Sequence, residues 1–280
     1  MKYTFTMLIP SLVLIGLIMI VPSVLTIYYA FTSWNGFTKP TFIGLQNYRE
    51  IFSDSLFWKV VWNNIKWTLF FLTVPMILAF IAASELNNVP QKAKGVFKTI
   101  FLIPYVLPSL AVARLWQIVF FHPLHGVITK VFNHDFLGST STTLWAIAMI
   151  DNWHWWGFLA NVFSAAIDQI DKTYYEIARL EGANRWQVFK CVTFPMIFPT
   201  FIFMEIMTVV WSFLVFDYIF IITQGGPGRA SEVLATLTYK TAFFYLRFGK
   251  GSAIATTMIM FASVPIATYL WLISRRGGRV

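Results

Sequence analysis

Long apolar stretches alternate with short polar ones along the whole chain. A membrane-spanning helix needs about 20 mostly apolar residues, and six stretches are read as spans on this basis. Their approximate bounds are residues 7–31, 67–83, 100–121, 143–167, 196–222 and 253–273. The first is too long for a signal-peptide core and is followed by no small-residue cleavage signal, so it is predicted to be a retained helix. The pattern predicts an all-α membrane protein with one transmembrane domain over residues 1–280, a six-helix bundle.

The composition agrees with a membrane protein. Hydrophobic residues make up 58% of the chain and charged residues 12%, whereas a soluble domain is about one quarter charged. An ordinary cytosolic enzyme, a disordered chain and a nucleic-acid-binding domain are all poor fits to this composition. The net charge of +9 is expected of a membrane protein, because cytoplasmic loops collect Lys and Arg. We therefore expect lipid, and no nucleic acid, around this chain.

The distribution of basic residues predicts the orientation in the membrane. Basic residues are dense in the short segment 85–98 and in the C-terminal tail, which contains Arg275, Arg276 and Arg279. The segments on the opposite side of the membrane carry their basic residues over longer stretches. Because cytoplasmic loops carry the excess of Lys and Arg, both termini are predicted to be cytoplasmic.

The polar segment 171–195, between the fourth and fifth stretches, is patterned like a helix. Thr173 and Glu176 have the spacing of a capping box, and apolar residues recur at helical spacing from Tyr174 to Leu180. Gly182 predicts the end of this helix, because glycine accepts the left-handed conformation found there.

A second short helix is predicted directly after the first. Asn184 can cap its start, and Pro195 is expected to end it at the membrane. A bare connection would need only a handful of residues. Two interpretations stay open: a helix lying in the lipid headgroups, or a docking element for the groove of a cytosolic partner.

This segment resembles a known motif. The run from Glu176 through Gly182 and Ala183, followed by Phe194-Pro195, is similar to the EAA loop of the membrane subunits of binding-protein-dependent ABC importers. It departs from the usual pattern at Ile177, where Ala is usual, and at Phe194, where Leu is usual; both keep apolar character. Three further blocks resemble the carbohydrate (maltose and multiple-sugar) branch of that family: residues 42–48, 216–227 and 239–249.

The resemblance implies the fold of a type I ABC importer permease and a role in carrying a sugar or oligosaccharide. In that family the EAA loop is a coupling helix seated on the ATPase. By position, the coupling residues are Glu176, Ala178, Glu181, Gly182 and Ala183. Other interpretations stay open: an ABC permease for another polar solute such as glycerol phosphate, a stand-alone carrier, or an intramembrane enzyme.

The resemblance also implies partners. These are a second, similar but distinct permease subunit, a dimer of ATPase subunits and an extracytoplasmic sugar-binding protein. The chain has no Gly-rich phosphate loop ending in Gly-Lys-Ser/Thr, so it is expected to be non-catalytic and without a cofactor, with ATP and Mg²⁺ on the partner ATPase. The expected location is the cytoplasmic membrane of a bacterium or archaeon.

Ionisable side chains within spans are costly and are functional candidates by default. Arg114 is one such candidate, but it can also extend its guanidinium group towards the end of the span. Asp151, next to three tryptophans, offers acceptors and flat faces to a sugar; the alternative is an aromatic belt. Glu205 either faces the translocation path or makes an interhelical hydrogen bond. The path candidates are Asp151, Trp156, Asn161, Glu205, Trp211 and Phe216, with Asp217 at the outer gate; the aromatic members can equally be bundle core.

The chain contains one pair of closely spaced histidines. His122 and His125 offer two metal ligands, but no third ligand follows in a recognisable pattern. No metal site is therefore predicted.

Overall fold

The computed structural model describes residues 2–86 and 89–275, and most of them are helical. In chain order the α-helices are α1 (Lys2–Ile15), α2 (Val21–Ala30), α3 (Gln46–Phe52), α4 (Ser55–Phe71), α5 (Val74–Leu86), α6 (Gln91–Val106), α7 (Ser109–Leu115), α8 (Val127–Phe132), α9 (Thr143–Asp168), α10 (Lys172–Leu180), α11 (Arg185–Val188), α12 (Phe194–Leu214), α13 (Asp217–Ile222), α14 (Leu234–Tyr239) and α15 (Phe248–Arg275). Short π-helical segments lie at Gly16–Ile20, Trp116–Phe120, Phe189–Thr193 and Lys240–Phe244. Two strands, β1 (Thr32–Ser33) and β2 (Thr41–Phe42), pair antiparallel. Arg276 and Arg279, which entered the orientation prediction, lie outside the described residues.

Four helical stretches of the described chain are long and apolar enough to cross a membrane. They are Ile9–Ala30, Ser55–Leu86, Arg185–Ile222 and Phe248–Thr268. A fifth is obtained if Lys92–Val106 and Ser109–Phe120, which meet at a 91° bend, form one broken span.

The fourth predicted span corresponds to α9. This helix of 26 residues is long enough to cross a membrane, but it is not among those that are also apolar enough. Its sequence carries Asp151, Asn152, His154 and Asn161. These polar residues lower its hydropathy, whereas more than half of the residues of α9 are buried against other helices. A helix enclosed by protein can carry polar groups that a lipid-facing helix cannot. The count of six spans stays a prediction.

The described chain forms two compact units. The first comprises residues 2–62 and 233–264, and the second comprises 63–86, 89–232 and 265–275.

Helix α9 is the centre of the second unit. Helices α5, α6, α7, α12 and α13 all contact it. Phe163 on α9 stacks on Phe80 of α5 with ring centroids 4.3 Å apart. A Cβ added at Gly157 would overlap the carbonyl oxygen of Phe101 on α6. This glycine therefore permits the close packing of α6 on α9.

The first unit is held together by buried polar contacts. The Asn47 side chain is 4% exposed and donates to the carbonyl oxygens of Ala30 at 2.9 Å and Thr32 at 2.8 Å. The hydroxyl groups of Tyr48 and Thr256 lie 2.9 Å apart. The end of α2 is thereby fixed to α3, and α3 to α15.

Two helix breaks interrupt stretches that the sequence predicts as continuous. The stretch 100–121 bends at Leu107-Pro108, where Leu107 has an extended backbone with ψ 140°. The physical reason is that proline disfavours the helical conformation of the residue before it. The stretch 196–222 breaks after Leu214: Val215 is non-helical and a new helix begins at Asp217. Broken backbone at membrane depth is tolerated where it is enclosed by protein or lines a cavity.

Candidate functional site

Both helix breaks open onto one cavity in the second unit, which we call the Asp151 cavity. Its volume is about 260 Å³. The lining residues are Trp67, Phe71, Ser109, Asp151, His154, Trp155, Thr208, Trp211, Ser212, Leu214, Val215, Phe216, Asp217 and Tyr218. Discontinuous helices that meet at a cavity are a recurrent way of building a solute site in a transporter.

The cavity wall contains buried polar groups without partners. Trp155 Nε1, Thr208 Oγ1 and Tyr218 Oη have no hydrogen-bond partner among the described residues. Their residues are 7%, 2% and 4% exposed, respectively. A buried polar group without a partner costs about 1–3 kcal/mol. These atoms are therefore candidates for contact with a polar ligand.

Two carboxylates share the cavity. The Ser109 hydroxyl donates to Asp217 at 2.8 Å, and this contact joins the start of α7 to the start of α13. Asp151 lies one helical turn before His154, and its Oδ1 is 3.9 Å from His154 Nδ1, which is too far for a hydrogen bond. The lining therefore offers both acceptors and donors to a hydroxyl-rich solute.

Aromatic rings form much of the remaining surface. The rings of Trp155 and Trp211 meet edge to face with centroids 4.0 Å apart. Trp67 stacks on Phe71 with centroids 5.1 Å apart. Flat apolar faces next to convergent polar atoms are the usual composition of small-molecule sites.

The structure groups some of the sequence candidates and separates others. Asp151, Trp211, Phe216 and Asp217 all line the cavity. Three candidates do not line it: Trp156, Asn161 and Glu205. Trp155, Thr208, Ser109 and Tyr218 line the cavity but are absent from the predicted set. Only the tertiary structure identifies them, because they come from four different helices.

The separated candidates have other surroundings. Asn161 donates to the carbonyl oxygen of Lys98 at 3.2 Å and to that of Gly157 at 2.8 Å, so in this structure it joins α9 to α6. The Trp156 ring lies 5.0 Å from that of Phe101. Glu205 is partly buried on α12.

The segment 171–195 folds as two short helices around a bend. Gly182 has φ +75°, the left-handed conformation expected at the end of a helix. Asn184 caps α11 through a reciprocal pair of hydrogen bonds with Gln187, at 2.9 and 2.8 Å. Both predictions are confirmed.

Two other predictions for this segment are wrong. The cap of α10 is Asp171, whose carboxylate accepts from the Thr173 amide at 2.9 Å, rather than a box of Thr173 and Glu176. Asp171 precedes Thr173 by two residues, and its carboxylate accepts a hydrogen bond from a free amide at the start of α10. This hydrogen bond from the Thr173 backbone lowers the pKa of Asp171. Pro195 does not end a helix; it lies in the first turn of α12, directly after the π-helical segment Phe189–Thr193.

The expected coupling residues lie on the surface of this segment. Glu176, Glu181 and Gly182 are exposed, while Ala178 and Ala183 are partly covered. Large apolar side chains next to them also face outwards: Ile177 is 50% exposed and Leu180 88% exposed.

A cluster of ion pairs lies just before this segment. Lys94 and Lys98 on α6 both contact the carboxylate of Asp168 at the end of α9, and the Lys98 distance is 3.0 Å. Partial burial raises the pKa of Asp168, but hydrogen bonds and charge from the two lysines outweigh it and leave the pKa below its ordinary value. The sequence pattern does not identify this cluster, because its members are about 70 residues apart.

The first unit contains a second polar cavity, of about 350 Å³. Arg247 Nη2 lies 2.7 Å and Lys250 Nζ 3.6 Å from the Glu50 carboxylate. Burial raises the pKa of Glu50, but the hydrogen bond and charge of Arg247, with those of Lys250, leave it lowered. This cluster is also absent from the sequence predictions.

The histidine pair gives no support for a metal site. The rings of His122 and His125 stack with centroids 3.5 Å apart. Within residues 2–86 and 89–275, no three His, Cys, Asp or Glu side chains are placed to hold a metal ion.

Comparison with known proteins identifies the family. Residues 75–276 match the model of the binding-protein-dependent transport system inner membrane component. The chain belongs to this family. The permease is therefore a multi-pass protein of the inner membrane. Its family is that of the non-catalytic membrane subunit of ABC transporters, with the ATPase on a separate subunit.

Relatives match the permease along almost its whole length. A probable ABC transporter permease protein of Pyrococcus horikoshii is 31% identical, covering 97% of this chain and 95% of the relative. The probable starch degradation products transport system permease protein AmyD of Thermoanaerobacterium thermosulfurigenes is 28% identical, covering 95% and 92%. The sulfoquinovosyl glycerol transport system permease protein SmoG of Agrobacterium fabrum is 30% identical, covering 95% and 89%.

Solved structures share the fold. A chain of a bacterial ABC transporter that imports the acidic polysaccharide alginate aligns with TM-score 0.84 at 23% identity, covering 99% of this chain and 96% of that one. A chain of the alginate transporter in complex with its alginate pentasaccharide-bound periplasmic protein aligns with TM-score 0.85 at 22% identity, covering 100% and 96%. The all-α fold of a type I ABC importer permease, predicted from the sequence, is confirmed.

Proposed function

We propose that this chain is the permease subunit of an ABC importer that takes up a sugar or an oligosaccharide. The Asp151 cavity carries the proposal, because it sets unpartnered hydroxyl and indole groups, together with two carboxyl groups, between aromatic rings. A sugar offers hydroxyl groups to these polar groups and C–H faces to the aromatic rings. The names of three similar proteins, which refer to starch degradation products, sulfoquinovosyl glycerol and alginate, support the same solute class.

The segment 171–195 is the proposed coupling element. Its apolar side chains Ile177, Leu180 and Trp186 are each at least half exposed. A headgroup-bound helix would also expose such a face, but family membership and the EAA-like motif favour docking on an ATPase. The bend at Gly182 would let both short helices contact one partner surface.

The proposed assembly has four kinds of subunit. A second permease subunit completes the pathway, a pair of ATPase subunits holds ATP and Mg²⁺, and an extracytoplasmic protein delivers the sugar to segments 39–66 and 225–250. In this proposal both termini and the coupling element lie on the cytoplasmic side. ATP-driven closure of the ATPase pair would move the coupling elements together and change the accessibility of the cavity.

Co-purification from the native membrane tests this proposal. A tagged wild-type chain should bring down an ATPase and a second permease. Leu180→Asp should reduce recovery of the ATPase by about tenfold or more, because it puts a charge into a contact that excludes water. Leu124→Asp is the matched control: this leucine is 81% exposed, lies outside segment 171–195, and should leave recovery unchanged.

Two results would overturn the proposal. A wild-type chain that is recovered intact and alone would remove the ATPase partner. Equal recovery of the ATPase with the Leu180→Asp and Leu124→Asp variants would show that α10 does not dock on the ATPase. The segment would then be interpreted as a helix lying in the lipid headgroups.

A further inference from the structure

The Asp151 cavity has the size of a site for one small unit rather than for a long chain. Its volume of about 260 Å³ lies just below the range of about 300–1,000 Å³ of typical small-molecule sites. An oligosaccharide would therefore place one ring at a time against this wall.

The unpartnered atoms of the wall suit hydroxyl groups. The Trp155 indole N–H can only donate, while the hydroxyl groups of Thr208 and Tyr218 can donate or accept. Asp151 and Asp217 supply acceptors on the same wall. A sugar hydroxyl both donates and accepts, so one ring can satisfy a donor and a carboxylate together.

Acidic side chains outnumber basic ones in the wall. Among the described residues that line the cavity, two are carboxylic acids, one is a histidine and none is lysine or arginine. Arg114 is on the same short helix as Ser109, but its guanidinium donates to Gln117 at 2.7 Å and is not part of the lining. A carboxylate or phosphate on the solute would face these acidic groups with no compensating lysine or arginine in the described lining.

Resting on the proposed function, we propose that the Asp151 cavity admits an uncharged sugar unit and rejects an anionic one such as a uronate or a sugar phosphate. The acidic groups of Asp151 and Asp217, with no lysine or arginine beside them in the described lining, disfavour an anion, and the unpartnered donors attract hydroxyl groups. Specificity commonly combines both kinds of element. The solute class differs from the acidic polysaccharide named for the similar solved transporter, which shares the fold with this chain.

A pair of probes that differ only in charge tests the proposal. The assembled importer is placed in nanodiscs without its binding protein, so that only the membrane subunits contact the probe. Saturation-transfer difference NMR then measures binding of methyl α-glucopyranoside and of methyl α-glucopyranosiduronate. We expect the glucuronide to bind at least about tenfold more weakly than the glucoside, because juxtaposed like charges oppose binding.

Variants assign the effect to this cavity. Asp151→Asn combined with Asp217→Asn keeps the shape and removes the charge, so the two probes should then bind within about threefold of each other. Trp155→Phe keeps an aromatic ring and removes the donor, and should weaken glucoside binding. Trp156→Phe is its matched control, because Trp156 is the next residue of α9 and lies outside the cavity.

Three results would overturn the inference: equal binding of both probes to the wild-type complex, discrimination that persists in the double variant, or binding of neither probe. The same preparation reports on the proposed function separately, through the presence of the ATPase and its hydrolysis of ATP. An intact, hydrolysing complex without the charge preference would refute only the solute selection.

Discussion

Lys98 Nζ lies 3.0 Å from a carboxylate oxygen of Asp168, and Lys94 contacts the other oxygen of the same group. The contact joins the beginning of α6 to the last residue of α9, three positions before the cap of α10. Lys94 is 6% exposed, so this side chain is enclosed close to the start of the proposed coupling element. We therefore expect a movement of α10 to reach α6 as well as α9.

We expect Asp168→Asn to separate ATP hydrolysis from uptake. The variant removes the charge that holds both lysines but leaves the surface of α10 intact, so the ATPase should still co-purify and hydrolyse ATP. Uptake per ATP hydrolysed should fall several-fold in proteoliposomes. Lys94→Gln should behave similarly, and Lys92→Gln, an exposed lysine two positions away, should not. Unchanged uptake per ATP in Asp168→Asn would show that the cluster has no part in coupling.

The pH dependence of the Glu50 cluster follows from its lowered pKa. A carboxylate whose pKa is lowered by folding stabilises the folded state above its unfolded value, near 4.3 for Glu, and loses that contribution as pH falls through the lowered value. Solvent screens this partly exposed ion pair, which limits the size of its stabilising contribution. Arg247→Gln should therefore lower the thermal midpoint at pH 7 but change it less at pH 3, measured in detergent.

Arg49→Gln provides the comparison for the Arg247 variant. Arg49 is an exposed residue of α3, adjacent to Glu50 in sequence. If Arg49→Gln and Arg247→Gln shift the midpoint equally at both pH values, general charge rather than the specific pair explains the result.

Gly182 and Gly95 both have open space around them but differ in backbone conformation. A Cβ at either position meets nothing within 4 Å, but Gly182 has φ +75° whereas Gly95 is helical. Gly182→Ala should destabilise the bend by about 1–2 kcal/mol, the cost of a left-handed conformation for a residue with a Cβ. Gly95→Ala should be neutral or stabilising by about 0.5–1 kcal/mol. Hydrogen exchange of the amides of 178–186 measures the first effect, and faster exchange in Gly182→Ala alone is the expected result.

Gly157 tests the packing of α6 on α9. A Cβ there would overlap the Phe101 carbonyl oxygen, so Gly157→Ala should force the helices apart at a cost of about 1–3 kcal/mol. The thermal midpoint of the variant in detergent should fall, while Gly16→Ala, with open space around it, should leave it unchanged. An unchanged midpoint for Gly157→Ala would mean that the two helices do not pack this closely.

Local features that depend on neighbouring residues were accessible from the sequence. Gly182 and Asn184 behave as predicted because a helix end and a cap are decided within about four residues. The cap of α10 was predicted wrongly because Asp171 and Thr173 both have the chemistry of a cap, and only backbone geometry chooses between them. The continuous stretch 196–222 was predicted because hydropathy averages over a break that spans only two residues.

The sequence by itself determined the membrane class, the helical content and the EAA-like segment, because lipid demands long apolar helices and the motif is contiguous. Only the tertiary structure decided which polar residues share a cavity. Asp151 and Asp217 are 66 positions apart, and their grouping depends on two helix breaks and on the burial of α9. The same is true of Asp168 with its two lysines, since side chains on separate helices meet only after the helices pack.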